Sequence, residues 1–195
     1  MIVWERWIVR ASWMPALVFF VAFGIFLARA APTVAPLDSA ELAAVGSTLG
    51  IAHAPGYPLF SLAAKAWSIL LGQGNGAYRV NVFSAACSAG ALALLAAAFA
   101  ADGWAVALAA ALTLFISPAF QKEAVSAEVF ALNTLVASFL LLLARGGAGD
   151  RRFLLAVFAL ALGLGNQHTL ILASPLLLSL LPERWQDRRL PLLAA

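Results

Sequence analysis

The sequence predicts an all-α integral membrane protein with about six transmembrane helices and two further helices in an outer loop. The first observation behind this prediction is composition: of 195 residues, 64% are hydrophobic and 11% are charged. Soluble domains average about 45–50% apolar and about 25% charged residues, so this composition is typical of a membrane protein instead. The second observation is that the uncharged residues are gathered into long stretches, as membrane-spanning helices require.

Six stretches lack Asp, Glu, Lys, Arg and His, and they are the predicted spans. They cover residues 11–28, 80–101, 103–121, 129–144, 153–167 and 169–182. A spanning helix needs about 20 residues, with a range of about 17–25, so the last three stretches are short. We expect them to include polar residues at their ends or to pack inside a larger helical assembly.

A seventh apolar stretch, 57–71, is interrupted by Lys65 and bounded by proline and glycine. We interpret it as a helix that lies on or dips into the membrane interface. Together with a predicted helix at 39–49 it belongs to a first outer loop, residues 32–79. The other connections are short, so residues 1–195 are predicted to form a single transmembrane domain.

The basic residues predict the orientation of the chain. With the N-terminus inside and six spans crossing, eight of them lie inside: Arg6, Arg10, Arg145, Arg151, Arg152, Arg184, Arg188 and Arg189. Four lie outside: Arg29, Lys65, Arg79 and Lys122. This excess obeys the positive-inside rule, which places both termini inside. If residues 57–71 also crossed, the bias would be reversed.

The first stretch has an alternative interpretation. Arg6 and Arg10, an apolar core and the sequence Ala28-Arg29-Ala30 also fit a secretory signal with its cleavage site. The apolar core of a signal usually has about 7–15 residues. Because this stretch has 18, we expect an uncleaved signal anchor.

Cysteine usage and charge exclude several classes of site. Cys87 is the single cysteine, so it cannot form an intramolecular disulfide or a cysteine-based zinc cluster. Two histidines and scattered carboxylates give no metal-binding motif. The sequence pI of about 9.6 comes from cations placed between apolar stretches, so we expect no nucleic-acid partner.

Most other polar residues of chemical interest fall on the predicted outer side. The candidate catalytic residues are Asp38, Glu41 and Glu128, and the candidate substrate-binding residues are His53, Tyr57, Arg79, Asn133, Asn166, Gln167 and His168. Glu123 accompanies them. Ionisable and amide groups at membrane depth are costly unless they pair or line a cavity. These residues form three polar corners: one in the first outer loop, one around residues 123–133 and one at residues 166–168. We therefore predict that the three polar corners converge on one outward-facing site.

Some candidates also fit a local structural role. Asp38, followed three residues later by Glu41, fits a helix N-cap with a carboxylate at N3 as well as a catalytic pair. His53 fits a turn residue hydrogen-bonded to the backbone as well as a ligand. His168 fits a polar cluster at a helix end, a proton relay or an axial ligand of a tetrapyrrole.

Two candidates near the start of the predicted span 129–144 are similarly open. Glu128 fits an ion pair with Lys122 or Arg79 as well as a catalytic or phosphate-binding role. Asn133, inside an apolar helix, most simply forms an interhelical hydrogen bond.

Several motifs, taken in order, resemble a known family of membrane proteins. They are residues 37–42 (LDSAEL), 50–60 (GIAHAPGYPLF), 78–81 (YRVN), and 117–118 (SP) with 127–133 (AEVFALN). That family carries a domain of unknown function. Its eukaryotic relatives are O-mannosyltransferases, and it belongs to the GT-C superfamily of polyprenyl-phosphate-sugar-dependent glycosyltransferases. The resemblance covers about residues 34–182, and the HAPGYP block is its most specific part.

The resemblance implies a GT-C-like helical module and a set of residue roles. In GT-C enzymes a carboxylate of the first outer loop acts as base or metal ligand beside the lipid phosphate and the acceptor hydroxyl. Here that role falls on Asp38, with Glu41 beside it. Glu128 is the implied acidic residue of the second loop, and Arg79 or His53 is implied to face phosphate.

Two functions follow from these observations. Because family members are several hundred residues long, we expect a non-catalytic structural or accessory subunit of a larger membrane complex, such as an energy-transducing or photosynthetic one. The alternative is a glycosyltransferase that moves a sugar from a polyprenyl-phosphate donor to an acceptor hydroxyl on the outer face.

The two functions differ in the cofactors that they predict. A subunit is expected to bind lipid or pigment, and an enzyme to use a polyprenyl-phosphate sugar and a divalent cation. In either case the expected partners are membrane lipids and other membrane protein subunits. The expected location is the bacterial inner membrane.

Overall fold

The computed structural model describes residues 13–181, and every regular element in that range is helical. The α-helices of this range are α1 Trp13–Arg29, α2 Asp38–Thr48, α3 Pro58–Leu71, α4 Gly76–Phe99, α5 Trp104–Phe115, α6 Pro118–Glu123, α7 Val129–Arg145 and α8 Asp150–Leu164. A 3₁₀ turn, Ala100–Asp102, follows α4, and a 3₁₀ helix, His168–Leu180, follows α8. The all-helical prediction is confirmed for this part of the chain.

The prediction of six spans is not confirmed. By length and composition, one helix among residues 13–181 can cross a membrane: Gly76–Asp102, 27 residues that combine α4 with the 3₁₀ turn after it. α1 and α7 have 17 residues each. Such helices are about 26 Å long, against a bilayer core of about 30 Å. The number of spans stays a prediction.

Prolines explain why two predicted spans do not form single α-helices. The stretch 103–121 divides because α5 ends at Phe115 and Pro118 begins α6. Proline lacks the amide hydrogen that a continuous helix needs, but it is well tolerated in a first turn. The stretch 169–182 contains Pro175, and its described part winds as a 3₁₀ helix.

Helices form at both positions predicted within the first outer loop. α2 replaces the predicted range 39–49 and α3 the predicted range 57–71, each within one residue at both ends. Lys65, which interrupts the apolar pattern of α3, donates from Nζ to the Ser47 carbonyl at 2.6 Å. Lys65 therefore satisfies a carbonyl in the last turn of α2 and joins the two helices.

α4 is the central helix of the described bundle. It packs against α1, α2, α3, α5 and α7, and most of its side chains are buried. Small residues let these helices approach closely, as small residues also do between membrane helices. A Cβ added at Gly90 of α4, for example, would lie 2.9 Å from Leu135 Cδ1 of α7. One core, with Phe60, Val80 and Leu132 among its members, joins α3, α4 and α7.

Some predictions concern residues outside 13–181. Arg6, Arg10, Arg184, Arg188 and Arg189, which carry much of the charge bias, lie outside the described residues. So do residues 11–12 of the predicted anchor and residue 182 of the last stretch. The position of the termini and the single domain 1–195 stay predictions.

Candidate functional site

The three predicted polar corners lie next to one another. The Leu59 amide at the start of α3 donates to the Gly165 carbonyl after α8, at 3.1 Å. The fully buried Asn166 side chain donates from Nδ2 to the Val129 carbonyl at the start of α7, at 2.9 Å. These two bonds connect the first outer loop, the α6–α7 corner and the corner after α8.

Asn81 of α4 holds the beginning of the first loop. Its side chain is fully buried, and Nδ2 donates to the carbonyls of Ala31 at 2.7 Å and Thr33 at 2.9 Å. The Ala31 amide in turn donates to the Val125 carbonyl at 2.8 Å. Asn81 is absent from the candidates predicted from sequence, although an amide within an apolar helix is a signal that points to it.

Asp38 is the first residue of α2, and it is exposed. The helix N-cap is Leu37, and no side chain caps it, so the predicted capping role of Asp38 and Glu41 is wrong. Within residues 13–181 the Asp38 carboxylate forms no hydrogen bond or ion pair. Asp38 is thus the carboxylate of α2 that is available to a ligand.

Glu41, one turn further along α2, is fully engaged by His53. Glu41 Oε1 accepts from the His53 backbone amide at 2.6 Å, and Oε2 lies 2.8 Å from His53 Nδ1. The other ring nitrogen, Nε2, lies 3.1 Å from the hydroxyl of Tyr57. His53 also accepts a turn hydrogen bond from Gly56, so its predicted turn role is present together with a side-chain relay.

The Glu41–His53 pair favours its charged form. The hydrogen bond from the His53 side chain lowers the pKa of Glu41, and the His53 backbone amide adds to this effect. The same side-chain bond raises the pKa of His53, and the field of Asp38 acts in the same direction. Both side chains are about two-fifths exposed, so solvent screens the pair.

Two strained residues border this part of the site. Leu37, before α2, has φ 65°, and Tyr57, before α3, has φ 43°. Residues with side chains rarely adopt positive φ, and such strain clusters at functional sites. The strain lies directly beside Asp38 and within the His53–Tyr57 loop.

Glu128 is the N-cap residue of α7. Its backbone amide donates to Ser84 Oγ of α4 at 3.2 Å, a contact that the sequence predictions missed. Partial burial is the main cause that raises the pKa of Glu128; the field of Asp38 adds to it, and Lys122 opposes it. Burial and the field of Glu128 also raise the pKa of Glu123. Asp38, Glu123 and Glu128 are therefore electrostatically coupled.

The predicted structural ion pair of Glu128 is absent. Among residues 13–181 no ion pair joins Glu128 to Lys122 or Arg79. Arg79 donates to the Gly74 carbonyl from Nε at 3.1 Å and from Nη2 at 2.9 Å, and to the Ser68 carbonyl from Nη1 at 3.3 Å. Arg79 thus holds the turn between α3 and α4, whereas His53 lies in the field of Asp38.

The remaining candidates lie near the start of α7 and after the end of α8. Among residues 13–181 the Asn133 side chain has no interhelical hydrogen-bond partner, and its buried Oδ1 is unpaired there, like Oδ1 of Asn166. Gln167 accepts from the His168 backbone amide at 3.1 Å, and the His168 side chain is exposed. Of the three interpretations of His168, the structure favours the polar helix end.

The implied divalent cation does not fit the described residues. Within residues 13–181 no group of three or more His, Cys, Asp or Glu side chains is placed to hold a metal ion. Both carboxylate oxygens of Glu41 already lie within hydrogen-bond distance of His53. We therefore assign no role in the reaction to a metal ion.

Replacement of Glu128 by Gln is expected to change how stability depends on pH. Because burial raises the folded-state pKa of Glu128 above that of the unfolded chain, the folded state holds its proton longer. Stability should therefore fall as pH rises from about 4.5 through the folded pKa, and Glu128→Gln should remove part of that fall. Thermal unfolding in detergent between pH 4 and 8 measures it.

Glu41→Gln provides the opposite control. The pKa of Glu41 is lowered on folding, so its contribution is present above the unfolded pKa and lost as pH falls. Parallel curves for Glu128→Gln and the parent chain would contradict the assignment of a half-buried Glu128.

Fold and site together define an apolar helical module with a carboxylate-bearing polar corner. No solved structure matches the chain. The chain belongs to the family described as "Protein O-mannosyl-transferase TMEM260 N-terminal domain", which matches residues 38–188. The matched region contains the whole polar corner, from Asp38 to His168.

Two curated relatives agree with this family. The chain is 37% identical over 144 residues to "Protein O-mannosyl-transferase TMEM260" of Mus musculus. The matched region is 69% of this chain and 20% of the relative. It is 27% identical over 162 residues to "Protein O-mannosyl-transferase tmem260" of Dictyostelium discoideum. That match is 72% of this chain and 20% of the relative. The chain thus spans about a fifth of the length of these relatives.

Proposed function

We propose that this chain is the acceptor-activating module of a membrane-bound, GT-C-type O-mannosyltransferase. The observation that carries the proposal is Asp38, an exposed carboxylate in the first turn of α2 that no other described group engages. Both relatives are named as protein O-mannosyl-transferases. These names favour the transferase over the accessory-subunit interpretation, which the comparisons do not support.

The proposed reaction joins a protein hydroxyl to mannose. The acceptor oxygen forms a bond to C1 of the mannose, and the bond between C1 and the phosphate oxygen breaks. The acceptor proton passes to the Asp38 carboxylate, and the polyprenyl phosphate leaves with the bonding electrons. A carboxylate base suits this step because the acceptor oxygen must lose its proton as the new bond forms.

An apolar groove next to the corner supports a lipid-linked donor. It has a volume of about 480 Å³ and runs between α4, α7 and α8, with Leu94, Leu135 and Phe158 in its walls. Leu59, two residues after Tyr57, also lines it. A prenyl chain in this groove would bring its phosphate close to the His53–Tyr57 loop.

The proposal includes the orientation predicted from charge. Six spans, with the polar corner on the outer face of a bacterial inner membrane, would let the module meet both a lipid carrier and an exported acceptor. α1 and α7 are short for a bilayer, so we propose that other membrane subunits or further helices of a longer protein surround them.

Transfer of labelled mannose tests the proposed function. The full chain, in its native membranes, is incubated with polyprenyl-phosphate [³H]mannose and a serine- and threonine-containing peptide. We expect label in the peptide that is released by β-elimination, as for an O-linked sugar. Membranes without the protein are the control, and equal labelling in both would overturn the proposal.

A further inference from the structure

The Glu41–His53–Tyr57 chain has an asymmetry that fixes the direction of its hydrogen bonds. An ionised carboxylate only accepts, so His53 Nδ1 must carry a hydrogen and donate to Glu41 Oε2. When the imidazole is neutral, Nε2 has no hydrogen and must accept from the Tyr57 hydroxyl, 3.1 Å away. Tyr57 then donates to His53 and to nothing else.

Protonation of His53 reverses the second bond. Nε2 now carries a hydrogen and donates to the Tyr57 oxygen, because both nitrogens of an imidazolium are donors. The phenolic hydrogen of Tyr57 is then free to turn toward another acceptor. The Tyr57 ring stays in place, since it is 8% exposed and packed in the core with Phe60 and Val80.

We propose that Tyr57 is a substrate-binding donor, whose hydroxyl hydrogen is released to a phosphate oxygen of the lipid-linked donor when His53 is protonated. His53 and Glu41 are positioning residues in this proposal, since they act through Tyr57. The inference rests on the proposed transferase function. It adds a contact to the leaving phosphate, whereas the Asp38 base acts on the acceptor hydroxyl.

The surroundings of His53 favour the protonated state. Glu41 and Asp38 face it from α2, Tyr57 faces it from its own loop, and the hydrogen bond to Glu41 raises the pKa of His53. On the neighbouring corner, Glu128 lies in the field of Asp38 and Lys122. The cation is present below the folded pKa of His53 and is lost as pH rises through it.

The first test compares the pH profile of mannose transfer in the full chain and in Tyr57→Phe. At pH 6 we expect Tyr57→Phe to lower transfer by about tenfold, the usual effect of losing one hydrogen bond to a charged group. The ratio of the parent rate to the Tyr57→Phe rate should approach one as pH rises and His53 becomes neutral. Tyr78→Phe changes the other tyrosine of the chain and should be silent. A Tyr57→Phe defect that is equal at every pH would overturn the proposal.

The second test does not depend on enzymatic activity. The chain has two histidines, so ¹³C-labelled histidine in detergent micelles gives two resonances, which His168→Gln assigns. We expect Glu41→Gln to lower the pKa of His53, because it removes the hydrogen bond that raises this pKa. A pKa of His53 that does not change in Glu41→Gln would overturn the relay. Absence of transfer with the expected titration would instead overturn the proposed function and the substrate contact while retaining the relay.

Discussion

Replacement of Asp38 by Asn is expected to reduce mannose transfer by about 10²- to 10⁴-fold, the usual contribution of a general base. Asparagine keeps the size of aspartate but cannot take the acceptor proton. The exposed Asp38 side chain makes no hydrogen bond within residues 13–181, so the substitution removes chemistry without removing a contact. Initial rates at saturating donor and acceptor measure the loss.

Asp150→Asn is a control for the loss of a carboxylate at a helix N-terminus away from the polar corner. Asp150 also lies in the first turn of a helix, α8, where a carboxylate interacts favourably with the helix dipole. Both variants therefore lose a similar dipole interaction, but Asp150 lies beyond the far end of α7 from Glu128. An unchanged rate in Asp38→Asn, or an equal loss in both variants, would remove Asp38 from the reaction.

Replacement of Gly46 by Ala is expected to destabilise the fold by about 1–3 kcal/mol, as overpacking of a close contact does. A Cβ at Gly46 of α2 would lie 2.9 Å from Ala64 Cβ of α3 and 3.0 Å from Val80 Cγ2 of α4. Neither neighbour can swing away, because alanine has no rotamer and valine is stiff at χ1. α2 would have to move, and with it Asp38 and Glu41.

Gly24→Ala separates packing from helix propensity. Gly24 lies within α1, and a Cβ there would meet nothing within 4 Å. Alanine favours a helix over glycine by about 1 kcal/mol, so Gly24→Ala should be neutral or stabilising. The free energy of unfolding of both variants in the same detergent decides the point, and a stabilised Gly46→Ala would refute the tight contact of the three helices.

Local patterns in the sequence predict the helical elements well. Pro58 and Gly72 bound α3, and their effect on the backbone depends only on their own covalent geometry. The ends of α5 and the 3₁₀ character of residues 168–180 were harder to predict. Pro118 and Pro175 stand within these stretches, but counting uncharged residues gives prolines no weight, so hydropathy alone counted each stretch as one span.

The sequence also predicts that polar residues of distant segments gather at one corner, since buried polar groups need one another. It does not identify the partners. Glu41 and His53 are 12 residues apart, and the choice of Glu41 over Asp38 depends on how the loop after α2 turns back. Arg79 had the charge to bind phosphate, but its Nε and Nη2 donate to the Gly74 carbonyl in the turn beside it.

By itself, the sequence determined an apolar, all-helical chain, the positions of α2 and α3, and the set of polar residues from which a site could be built. Composition and local pattern are sufficient for these because each depends on a residue and its near neighbours. Only the tertiary structure decided that Asp38, unlike Glu41, has no hydrogen-bond partner within residues 13–181, that Glu41 and His53 form a relay to Tyr57, and that Glu128 is half-buried. The physical reason is that hydrogen bonds and desolvation act over a few ångströms, between segments that only folding brings together.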